Sequence, residues 1–114
     1  MKNIKIYIAG PMNSSGRMDA NVREALEAAS KLREASERFL PFIPHLYFFW
    51  SVAIPQQEEY WLALDKNWLE ECNCILQLPG YSLGVNEELS YAKEKNIPVY
   101  KSINEIIIAY KPIV

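Results

Sequence analysis

The chain has 114 residues, half of them hydrophobic and 23% charged, a make-up that suits a single globular domain over residues 1–114 with its own core. A net charge of −2 excludes the basic footprint of a nucleic-acid polymer binder, while a small anion held by local donors stays compatible with it. Two cysteines one residue apart and a lone histidine, His45, exclude a structural zinc site or a disulfide framework.

Ile4–Ala9 is a short apolar run ending at Gly10-Pro11 and reads as a buried strand. It is too short for a signal peptide. Residues 12–18 are polar and read as a loop. A helix is expected from about Asn21 to Ala35, with Asn21 and Glu24 as a capping box and Val22, Leu26, Ala29 and Leu32 as its apolar stripe. Phe39–Ile43 reads as a second strand, placed at a sheet edge by Pro41. A long aromatic loop from His45 to Ile54 follows, then a helix opening at Pro55 and running to about Glu71. Pro41, Pro44 and Pro55 break the uncharged stretch 39–57, so no membrane-spanning helix is expected.

Asn73–Leu78 reads as a third strand, the segment from about Val85 to Asn96 as a helix, and Pro98–Tyr100 as a short fourth strand. Ser102 and Glu105 form a capping box for a last helix. Strands alternating with helices imply an α/β three-layer sandwich with a short parallel sheet, flavodoxin- or Rossmann-like, and strand order 2-1-3-4. Ligands in such sheets bind beyond the carboxyl ends of the strands, at the switch point. That brings the loop after Gly10 beside the loop Gly80–Gly84. A backbone loop opening a helix is a ready anion site, and the second loop leads into a helix with Glu87 and Glu88 early in its course.

Helical phase separates the carboxylates. Trp61, Leu64, Trp68, Leu69 and Cys72 form one stripe, and Asp65 falls in its middle. A carboxylate on an apolar face is costly unless paired or reached by solvent or ligand, so Asp65 reads as a pocket residue. Val85, Leu89 and Ala92 define the inner stripe of the later helix; Glu88 borders it and Glu87 points to water. Tyr7, near the end of the first strand, would bring a hydroxyl to the crevice and needs a partner there. Arg17 is a candidate anion clamp, and His45, between Pro44 and an aromatic run, reads as packed.

These residues together resemble the nucleoside 2-deoxyribosyltransferase-like superfamily, including its nucleotide N-glycosidase branch and small phage and bacterial relatives. The opening Ile6-Tyr7-Ile8-Ala9-Gly10-Pro11-Met12 is similar to that superfamily's first strand and loop. Asp65-Lys66-Asn67-Trp68-Leu69-Glu70-Glu71-Cys72-Asn73 is similar to its central helix running into the third strand. Ser82-Leu83-Gly84-Val85-Asn86-Glu87-Glu88 is similar to its nucleophile segment.

The resemblance implies Glu88 as nucleophile on C1′ of a nucleoside or nucleotide, Tyr7 beside it, and Asp65 holding the sugar or handling a proton. In the nucleotide branch Ser82 and the loop after the first strand hold a 5′-phosphate, which adds Gly10, Ser14, Arg17 and Gly84 to the expected binding residues. Asn73 departs from the resemblance, standing where many relatives carry Asp. The implied reaction is cleavage or transfer at an N-glycosidic bond through a covalent glycosyl-glutamate, with no metal or other cofactor. Partners are a small nucleoside or nucleotide and further copies of the chain, since relatives assemble and residues 47–54 are strongly apolar. With its cysteines reduced, a cytoplasmic location is expected. The alternative is a non-catalytic nucleotide-binding module on the same fold, and a third reading is an interaction domain using His45–Trp50.

Overall fold

The computed structural model describes residues 2–12, 18–80 and 82–111. Four strands, β1 (Ile4–Ala9), β2 (Phe39–Phe42), β3 (Cys74–Gln77) and β4 (Val99–Tyr100), form one all-parallel sheet in the order β2-β1-β3-β4. Five helices accompany them: α1 (Met18–Ala35), α2 (Tyr47–Ala53), α3 (Glu58–Glu70), α4 (Leu83–Glu94) and α5 (Ile103–Ala109). The fold class and strand order are those expected from the sequence. Pro41 lies in β2, an edge strand, where its missing N–H costs no ladder bond.

The period-two alternation of β1 divides the core. Ile4, Ile6 and Ile8 pack on one face with Ala25, Ala29 and Leu32 of α1 and Ile106 of α5. Tyr7 and Ala9 pack on the other with Ile75, Leu69 of α3, and Val85 and Ala92 of α4. The alanines of α1 let that helix approach closely. The parity of β1 thus sends the Tyr7 hydroxyl to the α3/α4 face.

Three local expectations are corrected. The helix α1 begins at Met18 rather than Asn21. The Asn21 amide donates to the Met12 carbonyl at 3.0 Å, so it fastens the preceding segment to the helix instead of opening a capping box. The aromatic stretch is not a loop: Pro44–Leu46 makes one 3-10 turn and Tyr47–Ala53 a short helix. The following helix starts at Glu58, with Gln57 extended before it, so Pro55 belongs to the connection. Glu58 and Glu59 then occupy the first turn, where acidic side chains favour the dipole.

The other helix ends follow their chemistry. Ser102 Oγ accepts from Glu105 N–H at 3.1 Å, and the Glu105 carboxylate returns to Lys101 N–H at 3.1 Å. Ser82 caps α4, its Oγ accepting from Val85 N–H at 3.4 Å.

The two glycine-bearing loops meet at the carboxyl edge of the sheet. Gly80 has a positive φ of 112°, and a Cβ there would lie 2.7 Å from Pro11 Cγ. A Cβ at Gly10 would lie 3.0 Å from Leu78 Cβ. Gly84 meets only Ser82 Oγ, at 3.7 Å. Gly80→Ala is therefore expected to cost about 2 kcal/mol or more in urea denaturation, and Gly84→Ala to change stability by less than about 1 kcal/mol. Equal effects would contradict the close approach of the loops.

Candidate active site

Where those loops meet, the carboxyl edge of the sheet opens into a cleft of about 570 Å³. The end of β1 makes its floor with Ile8 and Gly10, and the first turns of α4 make one wall with Ser82, Gly84 and Glu88. The opposite wall comes from α2, with Tyr47 and Ser51, and from α3, with Trp61 and Asp65.

Glu88 is 8% exposed and Tyr7 fully buried. The Tyr7 hydroxyl donates to Glu88 Oε2, joining the central strand to α4. Burial pushes the Tyr7 phenol far above its ordinary range, and the neighbouring Glu88 and Asp65 charges push it further. Tyr7 is therefore a permanent donor. Burial raises the Glu88 carboxyl from 4.5 to about 7; the Tyr7 bond opposes that rise, and the Asp65 charge adds to it. Glu87 is exposed on the far side of the same turn, as helical phase requires.

Asp65 lines the cleft, and burial raises its carboxyl from 3.8 to about 6. Of the whole of α3 only Leu69 is fully buried, and Asp65 faces the cleft with Trp61 and Leu62 rather than the core. This is why a carboxylate is tolerated there. Two coupled acids titrating within about a unit of each other hold one proton between them near neutrality. Asp65, at about 6, loses its proton before Glu88, at about 7, so the shared proton rests mainly on Glu88, and the Tyr7 hydrogen bond opposes that preference by favouring the ionised Glu88.

The expected binding residues divide. Gly10 lines the cleft through its backbone, but its carbonyl is engaged by His45 Nε2 at 3.2 Å. Ser82 and Gly84 also line it. The Ser82 hydroxyl accepts the cap bond and keeps its proton free to donate. Leu83 and Gly84, the first residues of α4, present N–H groups that the helix leaves unpaired. Ser14 and Arg17 lie outside the described residues.

His45 is packed at 3% exposure. Its Nε2 faces a carbonyl and so carries the proton, which leaves Nδ1 a buried acceptor without a partner among the described residues. Burial lowers its pKa and keeps it neutral.

Asn73 lies at the opposite end of β3 from the cleft. Its Oδ1 accepts from Lys5 N–H, and its own N–H donates to the Lys5 carbonyl, both at 2.8 Å. The departure from Asp is structural and touches no cleft residue.

The aromatic wall is legible only in three dimensions. Tyr47 and Trp61 approach to 6.2 Å between ring centroids, and Trp50 meets Trp61 edge-on at 5.1 Å. Phe42 links the group to Tyr7 at 5.6 Å. Each such contact contributes about 0.5–1.5 kcal/mol beyond area burial. The spacing of Tyr47, Trp50 and Ser51 is compatible with a helix, but it spans little more than one turn and does not by itself mark α2.

Residues 4–102 match the model of a family described as Domain of unknown function (DUF7768), and the chain belongs to that family. No curated protein matches it. Among the solved structures that share its fold are two with the following similarities. One is a conserved protein from Enterococcus faecalis V583, 24% identical, TM-score 0.66, covering 85% of this chain. This chain spans 61% of that protein's length. The other is a 2-deoxyribosyltransferase from the psychrotolerant bacterium Bacillus psychrosaccharolyticus, 15% identical, TM-score 0.58, covering 90% of this chain and 89% of that one. Among the described residues no helix is long and apolar enough to cross a membrane.

The raised Glu88 carboxyl has a consequence for stability. The folded chain keeps that proton to about pH 7, whereas the unfolded chain releases it near 4.5. Stability from this group is thus fully present below pH 4.5 and lost as pH climbs to 7. Glu88→Gln keeps an acceptor for Tyr7 and removes the charge. It is expected to exceed the wild type at pH 8 by on the order of 3 kcal/mol, the difference closing by pH 4. A variant less stable than wild type at pH 8 in urea titration would contradict the burial argument.

Proposed function

We propose that this protein is an enzyme that cleaves or transfers at the N-glycosidic bond of a nucleoside or nucleoside 5′-monophosphate, with Glu88 as nucleophile. The observation that carries the reading is a buried carboxylate held by a permanent phenolic donor and facing a second carboxylate across an open cleft. The fold shared with a 2-deoxyribosyltransferase supports it.

In the first half-reaction Glu88 attacks C1′ as the bond from C1′ to the base nitrogen breaks. The transition state is oxocarbenium-like, as in glycoside hydrolysis with paired carboxylates. On substrate binding the shared proton passes from Glu88 to Asp65, Asp65 gives it to the departing base, and the positive charge on the sugar is met by the ionised Glu88. In the second half, water or another base attacks C1′, the ester to Glu88 breaks, and Asp65 takes back the proton. Tyr7 holds the Glu88 carboxylate in line throughout.

The unpaired N–H groups of Leu83 and Gly84, with the Ser82 hydroxyl, support a seat for a 5′-phosphate at the start of α4. Gly10 belongs to the same proposed seat on the β1 side, and Ser14 and Arg17, outside the described residues, are proposed as further phosphate-binding residues.

Self-association is the second part of the proposal. Phe49, Val52 and Ile54, on α2 and just after it, are 66, 64 and 59% exposed beside the cleft mouth. Such a patch favours a partner surface, and light scattering at micromolar concentration is expected to show at least a dimer. A monomer there would contradict this part alone.

The twin glutamates test the chemistry. Glu88→Ala is expected to abolish base release, and Glu87→Ala to leave it within about threefold, since Glu87 faces solvent. A slow 2-fluoro-sugar substrate is expected to leave one sugar mass on the peptide holding Glu88. That adduct disappears in Glu88→Ala and persists in Glu87→Ala. Base release surviving in Glu88→Ala, or an adduct on Glu87, would overturn the assignment.

A further inference from the structure

The wall of the cleft opposite Glu88 carries, beside Asp65, residues that the glycosidic chemistry does not use. Glu58, Trp61, Leu62 and Asp65 all line the cleft from α3. Their spacing of three, four and seven residues puts them on one face of the helix. At 1.5 Å of rise per residue, Glu58 stands about 10 Å along the axis from Asp65. That is comparable with the span from a nucleoside's sugar hydroxyls to the outer edge of its base.

Trp61 lies between the two acids. Its ring is held edge-on by Trp50, at 5.1 Å and 85°, and flanked by Tyr47 at 6.2 Å and 31°. With the sugar at Asp65 and Glu88, the base falls against Trp61 and its outer edge reaches Glu58. Gln56 lines the same mouth. Gln57, between them, is extended and does not line the cleft, whereas Gln56 and Glu58 both do.

The donor pattern of this pair is specific. A carboxylate only accepts hydrogen bonds, and an amide supplies NH₂ donors. Guanine presents along its outer edge an acceptor oxygen, a ring N–H donor and an exocyclic amino donor. Adenine and cytosine set a ring acceptor beside their amino group, which repels a carboxylate. Uracil and thymine set their single donor between two acceptors. Hypoxanthine matches guanine except that it lacks the amino group. Among the described residues lining the cleft no lysine or arginine is present to neutralise Glu58.

We propose that Gln56 and Glu58 read the outer edge of the base and make this a site for guanine nucleosides, with the base stacked on Trp61. This rests on the glycosidic-bond reading for the position of the sugar.

Binding and turnover separate the two ideas. In Glu88→Gln, which retains the shape of the site and removes the nucleophile, 2′-deoxyguanosine is expected to bind about tenfold more tightly than 2′-deoxyinosine. Quenching of tryptophan fluorescence reports the titration. Adding Glu58→Gln is expected to bring the two within about twofold, and adding Glu59→Gln, at a position outside the cleft lining, to leave the ratio unchanged. Equal binding of the two nucleosides, a ratio that survives Glu58→Gln, or no binding of either overturns the inference. Base release by the wild-type chain is followed in parallel. Release from both nucleosides without preference leaves the glycosidic reading standing and removes the guanine reading. A preference abolished by Glu58→Gln, with no release from either nucleoside, does the reverse.

Discussion

The hydrogen bond from the Tyr7 hydroxyl to Glu88 is the constraint on which the site depends. It joins the central strand to α4 at the point where the sheet gives way to the cleft. Tyr7 is fully buried, so its hydroxyl cannot find water if Glu88 is removed, whereas Glu88 opens only onto the cleft. An uncompensated carboxylate at this depth would be expelled or permanently protonated. With Tyr7 present it becomes an acid poised near neutrality, and Asp65 becomes its counterweight. Burying Glu88 gives up stability at neutral pH rather than adding it.

The rest of the architecture can be read as support for that pair. The parity of β1 decides that Tyr7 and not Ile6 or Ile8 faces α4. Gly80 against Pro11 and Gly10 against Leu78 bring the two loops close enough to make one edge. His45 ties the 3-10 turn to the Gly10 carbonyl, so α2 starts from a fixed point and its aromatic side chains wall the cleft. Asn73 does its work at the other end of β3, bracing β1 and β3 where the ladder begins.

Much of this was legible because it depends on short-range periodicity. Four apolar runs bounded by Gly, Pro and polar residues mark the strands, and their alternation with helices leaves few parallel topologies. The phase difference between Glu87 and Glu88 needs only one helix and an inner stripe of Val85, Leu89 and Ala92. What was not legible comes from competition between local signals. The segment Tyr47–Ala53 is aromatic and flanked by prolines, so its propensity does not announce a helix, and only packing against Phe42 and Trp61 settles it. Asn21 has the identity of a cap but is recruited to the Met12 carbonyl from inside the helix. Pro55 fits a helix start, yet the acidic pair Glu58–Glu59 holds that position. The cleft wall joins Tyr47, Gln56, Glu58 and Trp61 across a connection whose course no local pattern specifies.

The central claim is that Tyr7, Glu88 and Asp65 form one coupled proton-sharing unit. Carbon-13 NMR titration of the side-chain carboxyls measures it most directly. Glu88 is expected to titrate near pH 7 and Asp65 near pH 6 in the wild type. The Glu88 midpoint is expected to fall in Asp65→Asn, which removes a neighbouring negative charge. It is expected to rise in Tyr7→Phe, which removes the donor that favours the ionised form. Glu88 titrating near its ordinary value in all three proteins would show that the carboxylate is neither buried nor coupled, and the account would fail.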